Sequence, residues 1–361
     1  MKTENSTQNI SAKILRDFVT KLFVASGSSE NEAEIVSDHL IEANLKGHDS
    51  HGAIRAKKYI EWVRNGQLLP NQKISIIVNN PSLAVVDGNF GYGQVIGKEA
   101  MKYAIEKAKS VGFCAISIRN SGHLGRIGAW AEQLANAGLT SVHFVNTSGF
   151  GILVAPHGGS DRRLSANPIA AGVPVPNRPP IILDIATSIV AEGKIQISRN
   201  KKEQLQPGLV IDGQGHPTTD PERFYASPPG AIFPFGGHKG SGLSFMCEVL
   251  AGSLSGGASS HPENETASRL VNNMLTLAFK PSSFSDDFFD DDVARLIKWT
   301  KSSPPIEADG EVLLPGELEE KTYAIRSRDG IPMDAETLRQ LAEVADSYAI
   351  PLPPEMRLHN V

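Results

Sequence analysis

The sequence predicts an α/β fold outside the ordinary Rossmann class, and three observations lead there. From Lys73 onward, short β-rich runs alternate with segments of helical periodicity. Before that point helical spacing dominates, and it returns near the C-terminal end. No GxGxxG follows an early strand, since GNFGYG at residues 88–93 has the wrong spacing for the dinucleotide fingerprint.

The elements follow in order. Residues 8–26 and 30–46 have helical spacing, and Ser29 with Glu32 has the capping-box spacing that satisfies orphan amides where the second helix begins. Gly47 ends that helix, and AIRAKKYIEWVRNG forms a third that closes at Gly66, before a turn around Pro70. The chain is therefore expected to open with three helices. KISIIV and LAVVD read as strands, GKEAMKYAIEKAKS as a helix, FCAISIR as a strand, GAWAEQLANAG as a helix and SVHFVN as a strand. Prolines and glycines crowd residues 151–180 and predict long loops, before the strand IILD and a helix starting near Ala186. Residues 200–237 read as turn-rich, GLSFMCEVLAGSLSG as a helix, MLTLAF as a strand, and Asp334 to Ala349 as a final helix. The acidic DDFFDDD at 286–292 matches no metal-ligand template and reads as a solvated helix N-terminus.

Composition narrows the function. The 361 residues carry 35 basic and 40 acidic side chains, a formal charge of -5, with 40% apolar and 21% charged residues. Such a chain can bury a sizeable core, and neither disorder nor a coiled coil is expected. No basic block offers a surface for a phosphate backbone, so nucleic acid is not an expected partner. No secretory leader and no long apolar run appear, which predicts a cytoplasmic protein with no membrane partner. Cys114 and Cys247 lie far apart in apolar stretches, as buried small hydrophobes do.

Four segments carry candidate chemistry. GHDSHGAIR, residues 47–55, gathers His48, Asp49, Ser50, His51 and Arg55 around a helix break. A histidine there can exchange a proton near neutral pH and an arginine can clamp a carboxylate, although a helix cap with surface charges has the same pattern. RNSGHLGRIG, residues 119–128, joins a strand to a helix, with Gly122 and Gly125 allowing close approach and His123 adding a titratable group; a plain glycine turn reads equally well. FGGHKGSG, residues 235–242, opens a helix where Lys239 and exposed amides suit an anion, but it lacks Walker spacing. Asp184 ends IILD beside ATS and reads as a strand-end acid next to a helix cap.

Taken together, SHGAIR, NSGHLGRIGAWAEQLA, SANPIAAGVP, ILDIATS, DGQGHPTTDP, GGHKGSGLSFMCEVLAGSLSGG and LLPGE resemble, in this order, the type 2 malate/L-lactate dehydrogenase family. The resemblance runs from about residue 10 to 350, and is strongest to the hydroxycarboxylate dehydrogenase B branch. It implies a non-Rossmann α/β fold: a mixed, mainly antiparallel sheet flanked by helices, with a helical region from residues 1–70 plus 331–361 and a central cofactor-binding domain over 71–330. It also implies NAD or NADP as cofactor, a homodimer with the active site near the subunit interface, and a small 2-oxo or 2-hydroxy acid as substrate.

Position by position, the resemblance makes His51 the proton donor to the substrate oxygen, with Ser50 beside it. Arg55 becomes the partner of the substrate carboxylate, and His123 a histidine that serves as base in some members. His48, Gly122, His123, Leu124, Asp184, Ile185, Ala186, Thr187, Ser188, His238, Lys239, Asn273, Pro315, Gly316 and Glu317 match segments that contact the dinucleotide. A 2′-phosphate pocket could be built by Arg199, Lys201 or Lys202, or by none of them. Within the family, reduction of a cyclic imino acid or a ureidoglycolate-type oxidation is the alternative activity. Outside it, the alternative is a metal-dependent hydrolase on His48, Asp49 and His51, for which no third ligand stands at a sensible spacing.

Overall fold

The computed structural model describes residues 7–264, 269–286, 288–307 and 309–358. The chain begins with strand β1 (Thr7–Ile10), followed by helices α1 (Ala12–Ala25), α2 (Glu30–Leu45) and α3 (Arg55–Arg64). Leu15, Phe18, Val19, Leu22 and Phe23 form the buried stripe of α1, and the Ser29 side chain caps α2 by accepting from the Glu32 amide. Next come β2 (Ser75–Asn80), β3 (Leu83–Asp87), α4 (Gly93–Val111), β4 (Phe113–Ser121), α5 (Gly128–Asn136) and β5 (Thr140–Gly149). Then follow β6 (Ile169–Val173), β7 (Ile181–Ile185), α6 (Glu192–Lys201), β8 (Val210–Ile211), β9 (Pro217–Thr218), α7 (Pro221–Tyr225), β10 (Ala231–Ile232) and α8 (His238–Cys247). The last elements are β11 (Leu270–Phe279), α9 (Ser282–Ser285), α10 (Phe288–Lys301), α11 (Glu317–Asp329), β12 (Ile331–Asp334) and α12 (Ala335–Asp346).

Seven strands form the central sheet in the order β2-β3-β4-β11-β5-β6-β7. Among the described strands only β3 and β4 run parallel, joined by the α4 crossover, and every other neighbour is antiparallel. The fold is thus α/β with a mainly antiparallel sheet flanked by helices. Helices α4 and α5 lie on one face, where Ile96, Met101, Trp130 and Leu134 meet Ile116, Ile118 and Met274. A second core joins Leu15, Phe23, Leu40, Tyr59 and Tyr92 to Ile331, Leu341 and Met356. A small sheet of order β10-β8-β9 packs with α6 and α7 around Val154, Ile195, Phe224 and Ile232.

Four local expectations are corrected. The helix expected from residue 8 is preceded by β1, which pairs antiparallel with β12 through Ile10 opposite Ile331; a partner so distant leaves no local pattern. The helix expected near Ala186 starts at Glu192, because residues 187–190 are drawn out against 233–235. There the Ile189 amide bonds to the Phe233 carbonyl and the Phe235 amide to that of Thr187. The Pro- and Gly-rich stretch 151–180 contains β6, whose small residues let it approach α5: a Cβ on Gly172 would lie 2.6 Å from the Ala131 carbonyl oxygen. The helix expected over 242–256 begins earlier, as α8, and widens into a π-helical stretch over Glu248–Ser253. Asp290 and Asp291 stand in the first turn of α10, as expected for a solvated helix start, while Asp287 lies outside the described residues.

Candidate active site

The segment after α2 is held by side chains rather than by regular structure. Asn44 donates to Asp49 Oδ1 at 2.6 Å and accepts from the Ala53 amide at 2.8 Å, so one amide spans the break. Arg326 of α11 forks the Asp49 carboxylate at 2.6 and 3.0 Å. A Cβ on Gly52 would lie 2.2 Å from Asn44 Oδ1, which is why glycine stands there. Asp49 is therefore bound within the fold, and a metal centre on His48, Asp49 and His51 would have to take it from Arg326. Among the described residues no group of three or more His, Cys, Asp or Glu has a metal-holding arrangement.

This brace presents Ser50, His51 and Arg55 side by side. Ser50 Oγ lies 3.0 Å from His51 Nδ1, and Arg55 Nε donates to the Ser50 carbonyl at 2.6 Å. The His51 ring stacks on that of His123, with centroids 5.5 Å apart and planes at 19°. His123 Nδ1 lies 2.6 Å from the Tyr59 hydroxyl of α3, and Gln94 of α4 donates to that hydroxyl at 3.1 Å and to the His123 carbonyl at 3.2 Å. Burial and then the neighbouring Arg55 charge lower the His51 pKa to about 3, and the same causes hold His123 well below its ordinary value. Both rings are neutral in the free protein.

The Gly122–Leu124 loop is pinned to the sheet. The Gly122 amide bonds to the Gly91 carbonyl, and the Leu124 amide to Asn272 Oδ1 of β11 at 2.9 Å. Beyond it, Arg126 forks Glu132 at 3.1 and 2.7 Å, and Lys46 reaches the same carboxylate at 2.7 Å, tying α2 to α5. The Gly128 amide opening α5 donates to Asp184 Oδ2 at 2.7 Å. Burial raises the Asp184 carboxyl pKa, against the pull of His48 and of that amide.

The other expected site residues are placed by local contacts. His48 Nε2 lies 3.5 Å from Glu319 Oε1, and the Ile182 amide bonds to the Pro315 carbonyl, which brings Pro315, Gly316 and Glu317 to the start of β7. Glu317 is spent within the fold, accepting from Lys301, Arg178 and the Leu314 amide. Thr187 is locked to the Ala166 carbonyl, and Ser188 forms a bridge with Pro234. A Cβ on Gly240 would stand 2.9 Å from the Thr187 oxygen, so the start of α8, with His238 and Lys239 exposed, adjoins the segment Ile185, Ala186, Thr187 and Ser188. A Cβ on Gly193 would lie 3.5 Å from Ser50 Cβ, which brings the start of α6 against the Ser50 side chain.

Asn273 does not join them: it is fully buried, donating to Asn146, Gly257 and Ala258 and accepting from the Asn120 amide. Arg199 is paired with Glu222, and the Lys201 side chain lies outside the described residues. Tyr59, Gln94, Asn44, Asn272 and Arg326 are the members that the sequence reading missed. The only signals were a tyrosine in an amphipathic stripe and amides in otherwise apolar segments, and Arg326, in a charged helix, gave none.

Comparison with known proteins places nearly the whole chain in one family. The malate/L-lactate dehydrogenase family model matches residues 10–342. Hydroxycarboxylate dehydrogenase B of Escherichia coli K12 is 38% identical over 348 residues, 96% of each chain. L-lactate dehydrogenase of Cupriavidus necator is 33% identical, over 95% of this chain and 99% of its own. Among solved structures, an E. coli protein of malate/lactate dehydrogenase type superposes with a TM-score of 0.91 at 38% identity, covering 95% of this chain and 96% of its own. The Δ1-piperideine-2-carboxylate reductase of Pseudomonas syringae does so at 0.81 and 30%, covering 94% and 100%. A chain matched along nearly its whole length, with Ser50, His51 and Arg55 on one braced segment and the His123 ring stacked on His51, belongs to the malate/L-lactate dehydrogenase family and is a dehydrogenase.

Proposed function

We propose that this dehydrogenase moves a hydride between a nicotinamide cofactor, NAD or NADP, and C2 of a small 2-hydroxy or 2-oxo acid. The observation that carries the reading is the stacked, neutral pair His51 and His123 with Arg55 beside it. Arg55 Nε is taken by the Ser50 carbonyl, while its two terminal nitrogens have no partner among the described residues and can grip a carboxylate end-on. His51, neutral at rest, accepts the hydroxyl proton in the oxidative direction and returns it in the reductive one. A carboxylate on Arg55 offsets part of the charge that lowers the His51 pKa, so substrate binding raises it and favours that exchange.

The residues present fit a dinucleotide. The backbone amides of His123 and Ala186 find no acceptor among the described residues, and Lys239 forms no ion pair with them. His48, the Gly122–Leu124 loop, Asp184 to Ser188, His238, Lys239 and the backbone of Pro315 to Glu317 would hold it, with Asn273 acting only from behind the loop. When bound, the nicotinamide ring supplies the hydride donor or acceptor.

The same reading makes residues 1–70 with 331–361 the unit that presents His51 and Arg55, and 71–330 the unit that holds the cofactor. It also makes the protein a cytoplasmic homodimer. Leu243, Phe245 and Met246 of α8, with Val249 and Leu254 of the π-helical turn after it, are exposed apolar residues suited to a second copy, and the two cysteines are free and buried. A panel of 2-oxo acids assayed with NADH and with NADPH tests the activity; no turnover with either cofactor refutes it. The likeness to the piperideine-carboxylate reductase adds a second reading, imine reduction, so a cyclic imino acid belongs in the panel.

A further inference from the structure

We infer that Tyr59 and Gln94 are positioning residues that hold His123 as the neutral tautomer protonated on Nε2, leaving His51 as the histidine that exchanges the substrate proton. Gln94 sets the direction of the hydrogen-bond chain. Its Nε2 faces two oxygens, the Tyr59 hydroxyl at 3.1 Å and the His123 carbonyl at 3.2 Å. Turning the amide over would set its oxygen against that carbonyl, so the nitrogen stays where it is and donates to Tyr59. The Tyr59 hydroxyl, already accepting from Gln94, directs its own hydrogen to the remaining close partner, His123 Nδ1 at 2.6 Å. Nδ1 is then an acceptor, and the single proton of the neutral ring sits on Nε2. His123 becomes a fixed hydrogen-bond donor, able to steady a substrate oxygen but poorly placed to accept its proton.

His51 is built differently. Its Nδ1 meets only the Ser50 hydroxyl, which has no other side-chain partner among the described residues and can turn to donate or to accept. His51 can thus gain or lose a proton without breaking that bond. The two rings differ in their second neighbours, an amide-locked tyrosine for one and a free rotor for the other. The titratable and charged groups facing His123 are Tyr59 and Arg55 on α3, His51 beside it, and His39 on α2. The tyrosine is fully buried against Phe23, Trp62 and Tyr92, so Tyr59→Phe removes the hydroxyl and keeps the ring packing.

The catalytic half of the inference rests on the hydroxy-acid reading, whereas the tautomer is a property of the free protein. Nitrogen-15 NMR of the whole protein with labelled histidine, with the His123 signals assigned by their loss in His123→Asn, reads it directly. The expected result is an unprotonated Nδ1 and a protonated Nε2 across the neutral range. In Tyr59→Phe the two nitrogens should move toward an average of both tautomers. In Gln94→Glu the carboxylate accepts from Tyr59, the hydroxyl oxygen turns to His123, and the proton should shift toward Nδ1. Turnover by Tyr59→Phe should fall about tenfold in kcat with KM within about twofold, the scale of one lost hydrogen bond. A wild-type His123 protonated on Nδ1, or nitrogen signals unmoved in both variants, overturns the inference even if 2-oxo acids are reduced. The expected tautomer in a protein that reduces none of them supports the positional inference and refutes the hydroxy-acid reading instead.

Discussion

Replacing Gly93 by alanine would test the geometry of the site through its backbone. Gly93 opens α4 with an ordinary helical φ, and alanine at such a position normally stabilises a protein by about 0.4–1 kcal/mol. Here a Cβ would lie 2.2 Å from the His123 carbonyl oxygen, 2.5 Å from its carbon and 2.7 Å from the Gly122 oxygen. Relief to ordinary contact, about 3.4 Å, requires a shift of about 1 Å. The loop cannot give way freely, because the Gly122 amide is bonded to Gly91, the Leu124 amide to Asn272 and the His123 ring to Tyr59. The expected cost is about 1–3 kcal/mol of stability, from overpacking. Displacing a reacting group by about 1 Å adds a loss of about 10²-fold in kcat. Thermal unfolding and steady-state kinetics of Gly93→Ala measure both. Gly242→Ala is the control, since no atom lies within 4 Å of its Cβ, and it should gain stability. A Gly93→Ala protein as stable as the parent, with unchanged kcat, would refute the reasoning.

His51→Ala should lower kcat for oxo-acid reduction by about 10²-fold or more with cofactor affinity unchanged, as steady-state kinetics on the folded variant would show. Arg55→Lys should mainly raise KM across the 2-oxo acid panel, because an ammonium cannot reproduce the planar fork; an unchanged KM removes Arg55 from the site. Lys239→Ala should weaken NADH or NADPH binding in a fluorescence titration without substrate, and added salt should partly mimic the loss; equal dissociation constants contradict this. His39 and His143, buried with pKa values of about 3, remain neutral in the fold while the unfolded chain takes up protons below about pH 6.5. Their stabilisation is therefore present above about pH 6.5 and declines as pH falls toward 3, by about 1.4 kcal/mol per pH unit for each ring. Denaturation at about pH 7.5 and about pH 5.5 should show lower stability at the acid end, and His143→Gln should flatten that difference.

What could be read from the sequence follows the range of each interaction. Ser29 with Glu32 and the β-rich run LAVVD act within a few residues, and these two elements stand where they were expected. β1 and β12 depend on each other across almost the whole chain, so neither is visible alone. α11 offers no apolar stripe, its charged surface being used for contacts such as Arg326 on Asp49. In the site, His48, His51, Arg55 and His123 announce themselves by residue type. Tyr59 and Gln94 do not, since a tyrosine on an apolar helix face reads as core until its hydroxyl is seen against a histidine 64 residues away. The choice of Asn273 shows a different limit. Neighbouring residues of a strand point to opposite faces, so Asn272 holds the Gly122–Leu124 loop while Asn273 turns to Asn146.

The pairing of β1 with β12 has a consequence for how the protein is made. Ile10 and Ile331 face each other in that ribbon, and the core beneath it includes Met356. At about 5–20 residues per second on the ribosome, the 321 residues separating the two isoleucines take roughly 16–64 s to synthesise. For most of that interval α1, α2 and α3 have been made without the strand and helix that cover them, and Leu15, Phe18 and Phe23 remain open to water or to a chaperone. His51 and Arg55 ride on this same unfinished core, so the candidate site would be set in place only once β12 and α12 have been made.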